Sequence, residues 1–118
     1  MRYLCVYKAG TPQTNVAPSQ REMAEMGKLI EDMTHAGVLL GTGGCRPSEN
    51  AVRLEIQASR VSASNGPFPE QSEHISGYCL MQVKSKAEGI EWGKRFLSVV
   101  QHGRSELFEL EEFPPPAA

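Results

Sequence analysis

The sequence has no cluster of positive charge. Its 118 residues include 12 lysines and arginines against 14 aspartates and glutamates, which gives a formal net charge of −2. The basic residues are scattered along the chain and never form a run. Because binding to nucleic acid depends on basic residues that neutralise phosphates, no nucleic-acid partner is predicted.

Long hydrophobic runs are missing as well. A membrane-spanning helix needs about 18 or more consecutive apolar residues, and no stretch of the sequence reaches this length. The opening MRYLCVYK has the length and pattern of a strand rather than of the apolar segment of a signal peptide. We therefore expect a cytoplasmic protein with no membrane partner.

Cysteine is scarce, and its spacing does not indicate a metal site. Cys5, Cys45 and Cys79 lie far apart, with no CxxC or Cys/His pattern that would indicate zinc. Cys5 and Cys79 occur within apolar, strand-like stretches, where a cysteine is usually a packing residue. No serine or cysteine lies in the motif of an activated nucleophile. The sequence therefore indicates no cofactor and no hydrolase triad.

The sequence does contain enough apolar residues for one core. Hydrophobic residues make up 40% of the chain and charged residues 22%. A chain of this length buries about two thirds of its unfolded surface when it folds, so it needs no disulfide or metal for stability. We expect residues 1–118 to form a single domain.

A capping box predicts the first helix. Ser19 precedes Glu22 by three positions, a spacing at which each side chain can accept a hydrogen bond from the other's backbone N–H. Gly37 is a natural C-cap. Between these ends apolar residues recur every three or four positions, as one face of an amphipathic helix requires: Met23, Met26, Ile30 and Met33.

Apolar segments predict the strands. Residues 2–8 and 77–83 are apolar on both faces, which is typical of strands covered on both sides. A short strand begins at Val38 and leads into a glycine-rich exit at residues 41–44. The remaining elements are a hairpin of residues 52–57 and 60–64, a second helix opened by the Ser85 to Glu88 capping box, and a last strand over residues 107–113.

The order of these elements is β-α-β, hairpin, β-α-β. It predicts an α+β fold of the ferredoxin-like, split β-α-β type with an inserted β-hairpin. Gly89 and Gly93 in the second helix fit the close approach of a strand or a neighbouring chain. The two helices cover one face of the sheet, whereas the two apolar strands need to be covered on both faces. The simplest cover for the second face is an identical sheet, so we expect a homodimer.

The groups best suited to chemistry lie in one loop, NGPFPEQSEH, residues 65–74. Glu70, Glu73 and His74 place two carboxylates near an imidazole. A carboxylate can hold the tautomer of a histidine and raise its basicity, which suits proton transfer. The alternative is an ordinary solvated connection between two strands, since loops of this composition are common at protein surfaces.

The loop and its setting resemble the DGPF group of the YCII-related family. The resemblance covers almost the entire chain, including MRYLCVYK, MGKLIEDMTHAGVLL, the NGPF turn and GYCLMQVKSKAEGIEW. It implies a dimeric α/β-barrel built from two ferredoxin-like domains. Asn65 stands where the family usually has aspartate, which keeps the turn-forming side chain and removes its charge. The family's glutamate is retained as Glu70.

The resemblance leaves two kinds of function open, because this fold serves enzymes and binding modules alike. The first is a small-molecule-binding protein, or an enzyme of lyase or isomerase type, with a pocket beside the NGPF loop. In that case Glu70 and His74 would handle protons, while Asn65, Glu73 and Arg53 would contact the ligand. The alternative is a non-catalytic dimeric module with an accessory or regulatory role.

Overall fold

Two helices and six strands make up the part of the chain that the computed structural model describes, residues 1–9, 18–46, 51–66 and 75–111. In chain order these elements are β1 (Arg2–Lys8), α1 (Gln20–His35), β2 (Leu39–Gly44), β3 (Val52–Gln57), β4 (Arg60–Asn65), β5 (Ile75–Gln82), α2 (Lys86–Val100) and β6 (Arg104–Glu109). The fold is α+β, and no helix in these ranges is long and apolar enough to cross a membrane.

The main sheet has four antiparallel strands in the order β2-β5-β1-β6. Helix α1 connects β1 to β2 across β5, and α2 connects β5 to β6 across β1, so each helix spans one intervening strand. Strands β3 and β4 pair only with each other in a separate two-stranded sheet. Within the described residues the main sheet stays open at β2 and β6, so this chain alone does not form the expected barrel.

Serine caps begin both helices, as predicted. The Ser19 hydroxyl accepts from the Glu22 N–H, and the Ser85 hydroxyl accepts from the Glu88 N–H, each at 3.1 Å. The Glu88 carboxylate accepts from the N–H of Lys84 at 2.7 Å, one residue before the cap. These bonds satisfy N–H groups that have no partner within the helix.

The buried face of α1 differs in part from the predicted stripe. Leu29 and Met33 are buried, and Met26 packs against them, whereas Met23 is exposed. Ile30 also lies near the surface. The prediction missed Leu29, which is one position before Ile30 and faces the sheet more directly.

The two glycines of α2 allow the helix to approach β6, as expected. A Cβ atom at either Gly89 or Gly93 would lie 3.4 Å from the Leu107 side chain. The core around this contact comes from both helices and from the helix-facing side of the sheet: Tyr3, Cys5, Leu29, Met33, Val38, Met81, Val83 and Val99. Cys5 belongs to this cluster and Cys79 packs against it, which confirms their prediction as packing residues.

The glycine-rich segment after Val38 is a strand rather than the predicted exit. Thr42, Gly43 and Gly44 continue β2 and pair with β5. Close contact explains the glycines here, because a Cβ atom on Gly77 would lie 3.1 Å from the Gly43 carbonyl oxygen. A Cβ atom on Gly43 would lie 3.0 Å from the Tyr78 ring.

The last strand begins earlier than predicted. β6 covers Arg104–Glu109 instead of residues 107–113, because its register is set by β1. Lys8 pairs with Arg104 and Tyr3 with Glu109, and the Leu110 N–H donates to the Arg2 carbonyl at 2.9 Å. This bond between Leu110 and Arg2 lies at the very start of β1, so β6 cannot pair with β1 much further along the chain.

The predicted hairpin is confirmed, with an unusual turn. Strands β3 and β4 are joined by Ala58 and Ser59, whose φ angles are +50° and +66°. Both residues therefore lie in the left-handed region, which a two-residue hairpin turn requires and which glycine or asparagine adopts at lower cost.

A polar contact at the surface links the two helices. Arg95 of α2 donates to the Asp32 carboxylate of α1 at 2.5 Å, and Lys28 donates to the same carboxylate at 2.9 Å. The Arg95 guanidinium also lies 5.8 Å from the Trp92 ring centroid. The hydrogen bonds from Lys28 and then Arg95 lower the pKa of the Asp32 carboxyl, and the bond to Asp32 raises the pKa of Lys28.

The contribution of Asp32 to stability is expected to depend on pH. Because its pKa is lower in the folded state than the ordinary 3.8, the contribution is complete above that value and disappears as pH falls through the folded pKa. Asp32→Asn should therefore unfold at a lower urea concentration than the parent at pH 7, and the gap should close towards pH 2. Glu31→Gln, which removes the neighbouring carboxylate on α1, is the control. A gap that is unchanged at pH 2 would contradict the ion-pair origin of the effect.

Candidate functional site

A cavity of about 410 Å³ lies between the two helices and the sheet. Its volume is within the range of small-molecule sites, roughly 300–1,000 Å³. The sheet forms one wall with alternate residues of its two central strands, Cys5 and Tyr7 on β1 and Cys79 and Met81 on β5. Side chains two positions apart on a strand point to the same face, so these four all face the helices.

The helices supply the opposite wall. Helix α1 contributes Met26, Leu29, Ile30 and Met33, and α2 contributes Trp92, Gly93 and Phe96. Their spacing of three and four positions places them on one side of each helix. Trp92 is the only tryptophan of the chain, so its fluorescence reports on this cavity.

One end of the cavity lies where β2 and β5 pair. Gly43, Gly44 and Gly77 leave space there, and Thr42 and Ser76 also line the cavity. The Ser76 hydroxyl accepts from the Ala9 N–H at 3.2 Å, which ties the beginning of β5 to the end of β1.

Tyr7 is the best-positioned polar group of the lining. Its ring meets Phe96 edge to face, with centroids 5.0 Å apart and planes at 82°. Its hydroxyl donates to the His102 carbonyl oxygen at 2.9 Å and lies 3.2 Å from His102 Nδ1. Burial first, and the nearby Glu22 second, raise the pKa of Tyr7, so the phenol is neutral at pH 7.

The two thiols in the cavity are neutral as well. Cys5 and Cys79 lie directly opposite each other on β1 and β5, and both are free. Burial raises the pKa of the Cys5 thiol, and the nearby Ser105 hydroxyl partly offsets this effect. Burial and the adjacent Cys5 raise the pKa of Cys79 to about 11. Neither is therefore a ready nucleophile at neutral pH, because the thiolate is the reactive form.

The described lining residues thus carry no charge. They are aliphatic, aromatic, sulfur-containing, glycine or hydroxyl residues. In the described ranges, no three side chains of His, Cys, Asp or Glu come together as a metal site requires. The cavity is suited to contact with an apolar molecule and supplies few hydrogen bonds.

The residues predicted from the sequence have different positions in the structure. Glu70, Glu73 and His74 lie outside the described residues. Asn65 is the last residue of β4, with an exposed side chain, and Arg53 lies on β3 opposite Ser64. Neither Asn65 nor Arg53 is among the residues that line the cavity.

Signals for the cavity itself are weak in the sequence. Its lining comes from β1, α1, β2, β5 and α2, five elements that are spread over most of the chain. The glycines of β2 and the lone Trp92 are the features that could have indicated it. The glycines, however, are more simply interpreted as backbone flexibility, and Trp92 as core packing.

Comparison of the sequence with protein families and curated proteins identifies no relative. None of the protein-family models searched matches the chain. No curated protein shows significant sequence similarity to it.

Proposed function

We propose that this chain is a small-molecule-binding protein whose ligand occupies the cavity between the helices and the sheet. The observation that carries the proposal is the uncharged lining of a cavity of about 410 Å³. Moving a charged group into such surroundings costs free energy unless it is paired, and the described lining has no partner for it. The expected ligand is therefore uncharged and largely apolar.

The aromatic residues of the lining further restrict the class of ligand. Tyr7, Trp92 and Phe96 border the cavity from β1 and α2, and aromatic rings prefer offset or edge-to-face contact with other rings. Three methionines, Met26, Met33 and Met81, add flexible and polarisable surface that adapts to ligand shape. An aromatic or polycyclic molecule fits this combination better than a sugar or an amino acid does.

We also propose that the chain is related to the DGPF group of the YCII-related family. The strand order β2-β5-β1-β6 with a helix on each crossover supports the ferredoxin-like arrangement that the resemblance implies. An enzyme of lyase or isomerase type would need a proton-handling group that the described lining lacks. Glu70 and His74, with Glu73 in support, are the residues proposed for it from the sequence. His74 precedes the lining residue Ser76 by two positions.

The face of the sheet opposite the helices supports a homodimer. Opposite the helices, Leu4 and Leu80 pair across β1 and β5, with Tyr78 and Phe108 beside them at 45% and 51% exposure. A Lys8 to Glu106 ion pair of 2.9 Å borders this patch and lowers the pKa of Glu106. An apolar centre with a polar rim is the usual anatomy of a protein interface. A non-catalytic dimeric accessory or regulatory module is the second candidate function, and this face is the observation that favours it.

A matched pair of fluorescent probes tests the ligand proposal. N-phenyl-1-naphthylamine is uncharged and aromatic, and 1-anilinonaphthalene-8-sulfonate has the same skeleton with a sulfonate. Excitation of Trp92 should give energy transfer to the uncharged probe, with an affinity at least about tenfold higher than for the sulfonate, because the lining cannot pair a charge.

Two variants locate the bound probe. Cys79→Phe fills the cavity from the sheet side and should abolish energy transfer, whereas Ala87→Phe adds the same ring at an exposed position of α2 and should leave it unchanged. Equal affinity for the two probes, or binding that survives Cys79→Phe in a folded protein, would contradict the proposal.

A further inference from the structure

The β3–β4 hairpin, residues 52–65, has two chemically different faces. The register pairs Leu54 with Ala63 and Ile56 with Val61, so these side chains share one face with Val52. The alternate positions form a polar face, where Glu55 opposes Ser62, Gln57 opposes Arg60 and Arg53 opposes Ser64. We call residues 52–65 the hairpin arm, and its first side the apolar face.

The apolar face of the arm is exposed in the part of the chain that the structure describes. Val52, Leu54, Ile56 and Val61 are between 57% and 72% exposed, and none of residues 52–65 is buried. A two-stranded hairpin is at most marginally stable alone in water. Contiguous exposed aliphatic residues of this kind mark a surface that contacts another molecule.

The area of a dimer points to a second copy as the occupant. Four strands of about six residues give the open sheet face a flat footprint of roughly 400 Å², a small base for a stable dimer, which buries about 800 Å² of accessible surface per partner. The apolar face of the arm measures roughly 200 Å² on the same spacing. In a two-fold dimer each protomer buries its own arm and an equal area beneath its partner's arm, so the two arms add a footprint about as large as that of the sheet face.

We propose that the hairpin arm is a dimerisation element whose apolar face packs on a second copy of this chain, beside the contact between the two open sheet faces. The inference rests on the homodimer of the proposed function and specifies how it is held together. The same chain carries both apolar surfaces, the arm and the sheet face around Tyr78 and Phe108. In a two-fold dimer, every contact that the arm of one protomer makes with its partner is repeated by the arm of the partner.

Sedimentation equilibrium on the full chain tests the arm, since alternate residues of β3 provide a matched control. Leu54→Ser with Ile56→Ser removes two apolar side chains from the arm, and Glu55→Ser with Gln57→Ser changes two residues of its polar face. We expect the first double variant to raise the dimer dissociation constant at least about tenfold and the second to change it less than about threefold. Val61→Ser, on the other strand, should act in the same direction as the first. Trp92 fluorescence, which does not depend on the arm, and circular dichroism establish that each variant is folded.

The outcomes separate the arm from the dimer. A parent chain that stays monomeric at every concentration overturns both the homodimer and the role of the arm. A dimeric parent whose dissociation constant is unaffected by the apolar double variant overturns the arm alone. If that variant lowers the stability of the monomer and leaves the dissociation constant unchanged, the arm packs on its own chain and the proposal is wrong.

Discussion

Replacing Gly103 by alanine is expected to lower the free energy of unfolding by about 2–4 kcal/mol. Gly103 precedes β6 with φ at +82°, in the left-handed region that alanine adopts at a cost. An added Cβ atom would lie 2.5 Å from the Lys8 carbonyl oxygen, 2.9 Å from Tyr7 Cε1 and 3.0 Å from the Ala9 Cα. Two of these three atoms belong to the backbone, so they cannot move aside as a flexible side chain would. The conformational cost and the steric cost therefore add.

Gly27→Ala is the matched control for this substitution. Gly27 lies inside α1, and a Cβ atom there would have nothing within 4 Å. Because alanine favours helix, this variant should be more stable than the parent by roughly 0.5–1 kcal/mol. Urea unfolding of the three proteins measures both effects. A Gly103→Ala protein as stable as the parent would show that the turn before β6 has a different conformation.

The Gly103 substitution should also affect ligand binding. Tyr7 lines the cavity, and its ring is one of the groups that an alanine at position 103 would displace. The folded fraction of Gly103→Ala should bind N-phenyl-1-naphthylamine more weakly than the parent, whereas Gly27→Ala should bind it equally well.

Local signals explain why the order of elements could be predicted. The Ser19 and Ser85 caps act within four residues of sequence, and both form the expected hydrogen bonds. The first strand was also predictable, because a continuous apolar stretch covered on both sides has few alternatives. The four-stranded sheet and its two helices follow from these signals.

Non-local pairing explains the errors. Residues 41–44 look like a loop in isolation, since glycine is a poor strand former. Pairing with β5 supplies their hydrogen bonds, and the Tyr78 ring covers Gly43. The position of β6 was misjudged for the same reason, because β1 decides where its partner begins and ends. A partner strand that is distant in sequence gives no local sign of its register.

The candidate site shows the same difference between local and non-local signals. The sequence drew attention to residues 65–74 because their carboxylates and imidazole are contiguous. The cavity instead combines apolar residues of five elements, which become neighbours only when α1 and α2 pack on the sheet. A site made of ordinary core residue types has no composition that distinguishes it from the core.

Met81→Ala is expected to lower the free energy of unfolding by about 2–5 kcal/mol, the usual cost of truncating a large buried apolar side chain. Met81 is 1% exposed, at the centre of the core on β5, and it also lines the cavity. Met23→Ala is the control, since the Met23 side chain is 55% exposed and its truncation should change stability by no more than about 0.5 kcal/mol. Urea midpoints of the two variants and the parent give the comparison.

Ligand should restore part of this loss, because the truncation enlarges the space that the ligand fills. Binding to the folded state alone adds about 2.7 kcal/mol when the free ligand is at 100 times its dissociation constant. N-phenyl-1-naphthylamine should therefore raise the urea midpoint of Met81→Ala at least as much as that of the parent. The probe should raise the urea midpoint of Cys79→Phe by a smaller amount, because the cavity of this variant is filled. A Met81→Ala protein that loses under about 1 kcal/mol would contradict the packing of Met81. One that is destabilised as expected, yet gains nothing from the probe, would instead place the ligand away from β5.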